Sequence, residues 1–223
     1  MISSSPTIIA IVSIYILLLL IIGLWGRKGS KDIEGYYVAG KQLPAWVIAF
    51  SSNATGESAW LLLGLTGMSY LVGFHALWIV MGEVLGVTLA WVVVARPYKK
   101  ETDRFASITI PDYLEDRFED RAHVLRILSV IIIFSMAAFY IAAQLTASGK
   151  AFESFLGTSY EAGVLIGTAI VLYYTTVGGL RAVAYSDLLQ GILMVLCLIA
   201  LPIIGIKAAG GWSSMLDLSL IHI

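Results

Sequence analysis

Pro44-Ala45-Trp46-Val47-Ile48-Ala49-Phe50 runs into Ser51-Ser52-Asn53-Ala54-Thr55-Gly56-Glu57-Ser58 and then into Ala59-Trp60-Leu61-Leu62-Leu63-Gly64-Leu65. An apolar stretch long enough to cross a bilayer is therefore interrupted near its middle by small and polar residues. An unbroken helix facing lipid gains nothing from Asn, Glu and Gly at that depth, and a carboxylate there costs about 2.5–3.5 kcal/mol on insertion scales. The pattern is tolerated where a helix unwinds against protein or a water-filled cavity and frees carbonyls for a cation. The half-helix beyond the break would then point its positive N-terminal end at an anionic group. A packing seam of small residues is the competing account of the same residues, but Glu57 favours a discontinuous helix that builds a site.

The rest of the chain places this stretch in a membrane. Of the 223 residues 59% are hydrophobic and 13% charged, with mean hydropathy +0.88, whereas soluble domains carry about a quarter charged residues. Apolar runs predict six spans at 6–26, 44–71 (discontinuous), 74–95, 124–148, 162–177 and 187–206, an all-α integral membrane protein in one transmembrane domain. The first run is followed, not preceded, by the basic residues Arg27, Lys28 and Lys31, the reverse of a cleavable secretory signal. It is read as a retained span with its N-terminus outside. On that topology every Lys and Arg except Lys150 and Lys207 lies on the cytoplasmic side. The polar segment 96–123 becomes a cytoplasmic loop, in which Pro111, Asp112, Glu115 and Asp116 mark the start of a short interfacial helix.

Polar residues within the other spans are the remaining candidates. Glu83 is a second acid at membrane depth, open to pairing, to lining a cavity or to bonding neighbouring helices. Tyr140 and Gln144 stand four apart on one face, which suits a small polar solute and suits interhelical hydrogen bonding equally. Gly178-Gly179 reads as a helix stop beside Arg181, and Asp187 with Gln190 opens the sixth span, where a helix N-terminus favours an acid. The net charge of −1 carries no basic excess for nucleic acid, and Cys197 stands alone. His75, His123 and His222 are too scattered for a metal or triad constellation. The final Leu218-Ser219-Leu220-Ile221-His222-Ile223 reads as a chain cut off rather than finished.

Several motifs act together. They are Ser58-Ala59-Trp60-Leu61-Leu62-Leu63-Gly64-Leu65, Thr109-Ile110-Pro111-Asp112-Tyr113-Leu114 with Arg117-Phe118-Glu119-Asp120, and Leu125-Arg126-Ile127-Leu128-Ser129. Phe152-Glu153-Ser154, Ser159-Tyr160-Glu161, Gly178-Gly179-Leu180-Arg181-Ala182-Val183 and Ser186-Asp187-Leu188-Leu189-Gln190 complete the set. With them the chain resembles the solute:sodium symporter family, and most of all its sodium/proline members, over almost its whole length. The resemblance implies a leucine-transporter-like fold of two inverted five-helix repeats preceded by one extra helix. This chain would then be the extra helix and the first repeat, with the second repeat missing. It further implies sodium as the coupling ion, bound in part by the backbone carbonyls of Ala54 and Glu57. Ser58, Trp60 and Tyr140 match positions near the solute, Gln144 accompanies Tyr140, and Asp187 matches an acid on the ion's path to the cytoplasm. In one respect the chain departs: proline symporters often carry Asp at the position of Gly56, whereas here the acid stands next door as Glu57.

The expected function is thus sodium-driven import of a small solute, L-proline first, by alternating access across the plasma or inner membrane. No covalent chemistry, cofactor or nucleic-acid partner enters it, so the protein is not read as an enzyme. Two alternatives stand beside it: a symporter for another small organic solute, and the sensor domain of a transporter-like histidine kinase. A membrane scaffold whose polar breaks are packing seams is a third.

Overall fold

The computed structural model describes residues 6–215, so the reading of the last six residues falls outside the described residues. Among the described residues every regular element is helical. Four helices are long and apolar enough to cross a bilayer: Pro6–Gly29, Leu63–Arg104, Val124–Leu156 and Tyr160–Ala208. Backbone donors and acceptors in hydrocarbon find partners only within a helix or a closed barrel, which is why such runs fold this way. The chain divides into two units, residues 6–63 with 142–215 and residues 64–141.

The first unit is built on α1 (Pro6–Gly26), α3 (Ala45–Ala59) and α9 (Tyr160–Ala208), with the later part of α8 (Val124–Leu156). α1 carries no charge over 21 residues. A 3₁₀ turn, Arg27–Gly29, leads from it to the short α2 (Ile33–Val38). The Asp32 carboxylate caps α2 by accepting from Gly35 N at 2.7 Å. α3 starts after Pro44, whose fixed φ suits a helix entrance. At the start of α9, Ser159 accepts from Ala162 N at 3.2 Å.

Small residues let these helices touch. A Cβ placed on Gly26 would lie 2.7 Å from Ala182 Cβ, so α1 and α9 meet almost backbone to backbone. Val47 of α3 and Ser186 of α9 are wholly buried. α9 is not a uniform rod: Gly179 has φ +58° and ψ −160°, so two helical segments join directly at this residue.

The second unit holds α4 (Thr66–Val72), α5 (Leu77–Leu89), α6 (Arg96–Arg104), α7 (Ile110–Phe118) and the first part of α8. A π-helical stretch, Ala90–Ala95, carries α5 into α6. α7 opens with a capping box in which the Thr109 hydroxyl and Asp112 carboxylate satisfy each other's backbone amides, a device worth about 1 kcal/mol. Arg126 at the start of α8 donates to Asp112 at 2.6 Å and to Glu115 at 2.7 Å. Arg117 donates to Glu101 at 2.8 Å, and Lys99 pairs with Asp103. These pairs are largely solvated, so they set the register of α6, α7 and α8 more than they add stability.

Candidate functional site

The polar centre of the first unit lies where α3 breaks. Ser58 has φ +20° and ψ −163°, outside helical geometry, and the chain resumes at once as a π-helical stretch, Trp60–Leu65. π-Helical turns of this kind recur at functional sites. Breaking the ladder frees backbone groups, and the first two amides after the break have partners. The amide of Trp60 donates to the Glu57 carbonyl and, at 3.3 Å, to Ser58 Oγ. The amide of Ala59 donates to Gln144 Oε1 of α8 at 3.1 Å. A side chain from 85 positions further along the chain thus caps the start of the second half-helix.

Glu57 is held from its own helix, where Asn53 Nδ2 donates to Glu57 Oε1 at 3.0 Å. The other oxygen, Oε2, is buried and has no hydrogen-bond partner. A buried carboxylate oxygen without a donor is costly, and a small cation is the chemistry that would complete it. Ala54, one turn earlier, is buried. Two turns before Ser58, Ser51 Oγ donates to Asp187 Oδ2 of α9 at 2.6 Å, tying the broken helix to the second half of α9. In that half, Gln190 Nε2 donates to the Tyr15 hydroxyl of α1 at 2.7 Å.

A cavity of about 540 Å³ opens beside the break, walled by Ala59, Leu63, Gln144, Ser148 and Lys150. That volume suits a small organic molecule. Ser58, Gln144 and Glu57 are therefore grouped around the break, and Trp60, about half exposed, follows it directly. Tyr140, one turn before Gln144, belongs to the second unit and is about half exposed there. Asp187 is joined to the break through Ser51.

Sequence reasoning passed over three participants. Asn53 was legible, since it stands four before Glu57 on one face. Ser51 and Tyr15 were not, because their partners lie 136 and 175 positions away.

The capping role of Gln144 has a measurable consequence. Gln144→Leu leaves the Ala59 amide without its acceptor, at a cost of about 1–3 kcal/mol. The expected result is about tenfold faster hydrogen exchange of amides at the start of the second half-helix, with Gln144→Glu, which keeps an acceptor, falling between.

Helices long and apolar enough to cross the bilayer and two interrupted helices meeting at a polar centre define a multi-pass membrane protein with a candidate site at an interrupted helix. The chain belongs to the sodium:solute symporter family, whose sequence profile matches residues 36–220. It is 35% identical to the sodium/proline symporters of Salmonella typhimurium and Escherichia coli over 215 residues, 96% of the chain and 43% of each relative. It is 32% identical to the sodium/proline symporter of Staphylococcus aureus over 210 residues, 93% of the chain and 41% of that relative. The chain thus spans less than half the length of these relatives. No solved structure matches it.

Proposed function

We propose that this chain is part of a sodium-coupled symporter that imports a small solute, L-proline first, by alternating access. It would supply the extra N-terminal helix and the first five-helix repeat of a leucine-transporter-like fold, with six spans and the N-terminus outside. Family membership and the names of the relatives support the coupling ion and the solute. The observation that carries the reading is the break at Ser58, which the orphaned Glu57 Oε2 and the capped Ala59 amide flank in the chain.

In this scheme sodium sits against the Ala54 and Glu57 carbonyls, with the Glu57 carboxylate as a further oxygen. The solute occupies the cavity beside Gln144, and Ser58, Trp60 and Tyr140 are its further proposed contacts. A solute carboxylate is drawn to the N-terminal end of the second half-helix, where the helix dipole favours an anion. Asp187, fastened to Ser51, lies on the ion's path to the cytoplasm. Nothing in the cycle requires a covalent step, so the protein acts as a transporter in the cell membrane and not as an enzyme.

Uptake of labelled proline by the full-length protein carrying this chain, with and without sodium, tests the reading. Glu57→Ala is expected to raise the sodium concentration for half-maximal uptake about tenfold, and Ser58→Ala to raise the half-maximal proline concentration by a similar factor. Sodium-driven uptake of a different solute would remove proline and keep the mechanism. Absence of sodium-driven uptake of any solute would overturn the reading in favour of a sensor.

A further inference from the structure

We propose that the connector formed by residues 25–36, from the end of α1 into α2, is a clamp on the break in α9, and that Ser30 and Tyr36 are positioning residues for the half of α9 that carries Asp187. The transport consequence rests on the symporter reading; the clamp itself does not.

When a helix stops at Gly178, the carbonyls of its last four residues lose their intrahelical donors. Those residues are Thr175, Thr176, Val177 and Gly178. Two of the four are met by hydroxyls from the connector. Ser30 Oγ donates to the Gly178 carbonyl at 2.7 Å, and the Tyr36 hydroxyl donates to the Thr175 carbonyl at 3.3 Å. The Gly26 carbonyl, at 3.4 Å from Ser30 Oγ, is a poorer acceptor for the single Ser30 proton. Gly178 and Gly179 are buried, so a carbonyl left there without a donor would lack water to replace it.

The connector also grips the segment beyond the break. The Arg181 guanidinium lies 4.8 Å from the centre of the Trp25 ring, and Tyr185 meets the same ring edge-on at 4.8 Å. A Cβ on Gly179 would lie 2.8 Å from the Tyr36 carbonyl oxygen and 2.9 Å from Ser30 Oγ, so nothing separates connector from break. Residues on both sides of Gly179 are therefore held by one short segment. Asp187 follows the break by two helical turns, about 12 Å along the axis, and bonds to Ser51 on the broken helix α3. A change at the clamp is thereby passed to the contact between α9 and α3. Ser30 lies before the residues that the family profile matches.

The experiment compares the full-length protein with its Ser30→Ala, Ser30→Thr and Tyr36→Phe variants in lipid nanodiscs, by amide hydrogen exchange and by sodium-dependent uptake in proteoliposomes. Ser30→Ala is expected to speed exchange of amides in 179–187 about tenfold, Tyr36→Phe less, and Ser30→Thr to stay close to the unchanged protein. The sodium concentration for half-maximal uptake should rise several-fold in Ser30→Ala and return in Ser30→Thr, with the maximal rate at saturating sodium retained. Unchanged exchange in Ser30→Ala, or exchange that Ser30→Thr does not restore, overturns the clamp. Faster exchange with an unaltered sodium requirement overturns the positioning role. If the unchanged protein transports nothing with sodium, the symporter reading falls, and the exchange data alone decide for or against the clamp.

Discussion

Gly179→Ala is expected to remove most of the folded full-length protein from the membrane, whereas Gly205→Ala in the same helix should leave it intact. With φ +58° and ψ −160°, Gly179 occupies backbone space that is essentially reserved for glycine. An alanine there carries a strain of about 1–3 kcal/mol. Its methyl group would also press on the Tyr36 carbonyl oxygen 2.8 Å away, and overpacking of this kind adds about 1–3 kcal/mol. The combined penalty is comparable with a large part of a protein's whole stability. Nothing lies within 4 Å of a Cβ on Gly205, so there the usual gain of about 0.5–1 kcal/mol from replacing a helical glycine applies. Thermal stability of the detergent-extracted protein reads both. Equal stability of the two variants would show that Gly179 does not hold this conformation.

On the proposed symporter reading, Asp187→Ala in the full-length protein is expected to lower sodium-dependent uptake about 10- to 100-fold. The 2.6 Å contact from Ser51 Oγ to Asp187 Oδ2 has the length of a hydroxyl bonded to a carboxylate, and bonds to charged groups contribute about 1.5–3 kcal/mol. Asp187→Asn keeps an acceptor without the charge and should fall between. Ser51→Ala should lose part of the activity, and the Ser51→Ala, Asp187→Ala pair should lose little more than Asp187→Ala alone, because the two side chains share one interaction. Additive losses would show that the residues act separately.

These two positions mark how far the residues speak for themselves. The membrane class was legible from apolar runs and sparse charge, since helix length and bilayer thickness are physically linked. The polar run 51–58 announced an interruption, but not that Ser58, rather than the more permissive Gly56, would leave helical geometry. Gly178-Gly179 read as a stop, yet the helix resumes directly after Gly179, because Ser30 and Tyr36 take up carbonyls that a longer loop would have exposed to water. Such partners are 148 and 139 positions away, and no local pattern encodes a pairing at that range. Local pairs such as Asn53 with Glu57 follow from helical spacing. The gathering of Gln144 and Asp187 around α3 is a property of the packed helices.

Length gives the α1 contact a further meaning. At 1.5 Å per residue the 21 residues of α1 span about 32 Å, close to the roughly 30 Å of a hydrocarbon core, whereas the 33 residues of α8 span about 50 Å. In a thicker bilayer a helix of the length of α1 meets the mismatch at its ends, by thinning the lipid around them or by snorkelling of flanking side chains. One of those ends is bolted to the break in α9. The end of α1 where a thickness mismatch is taken up is thus the end that packs against Gly178 and Ala182.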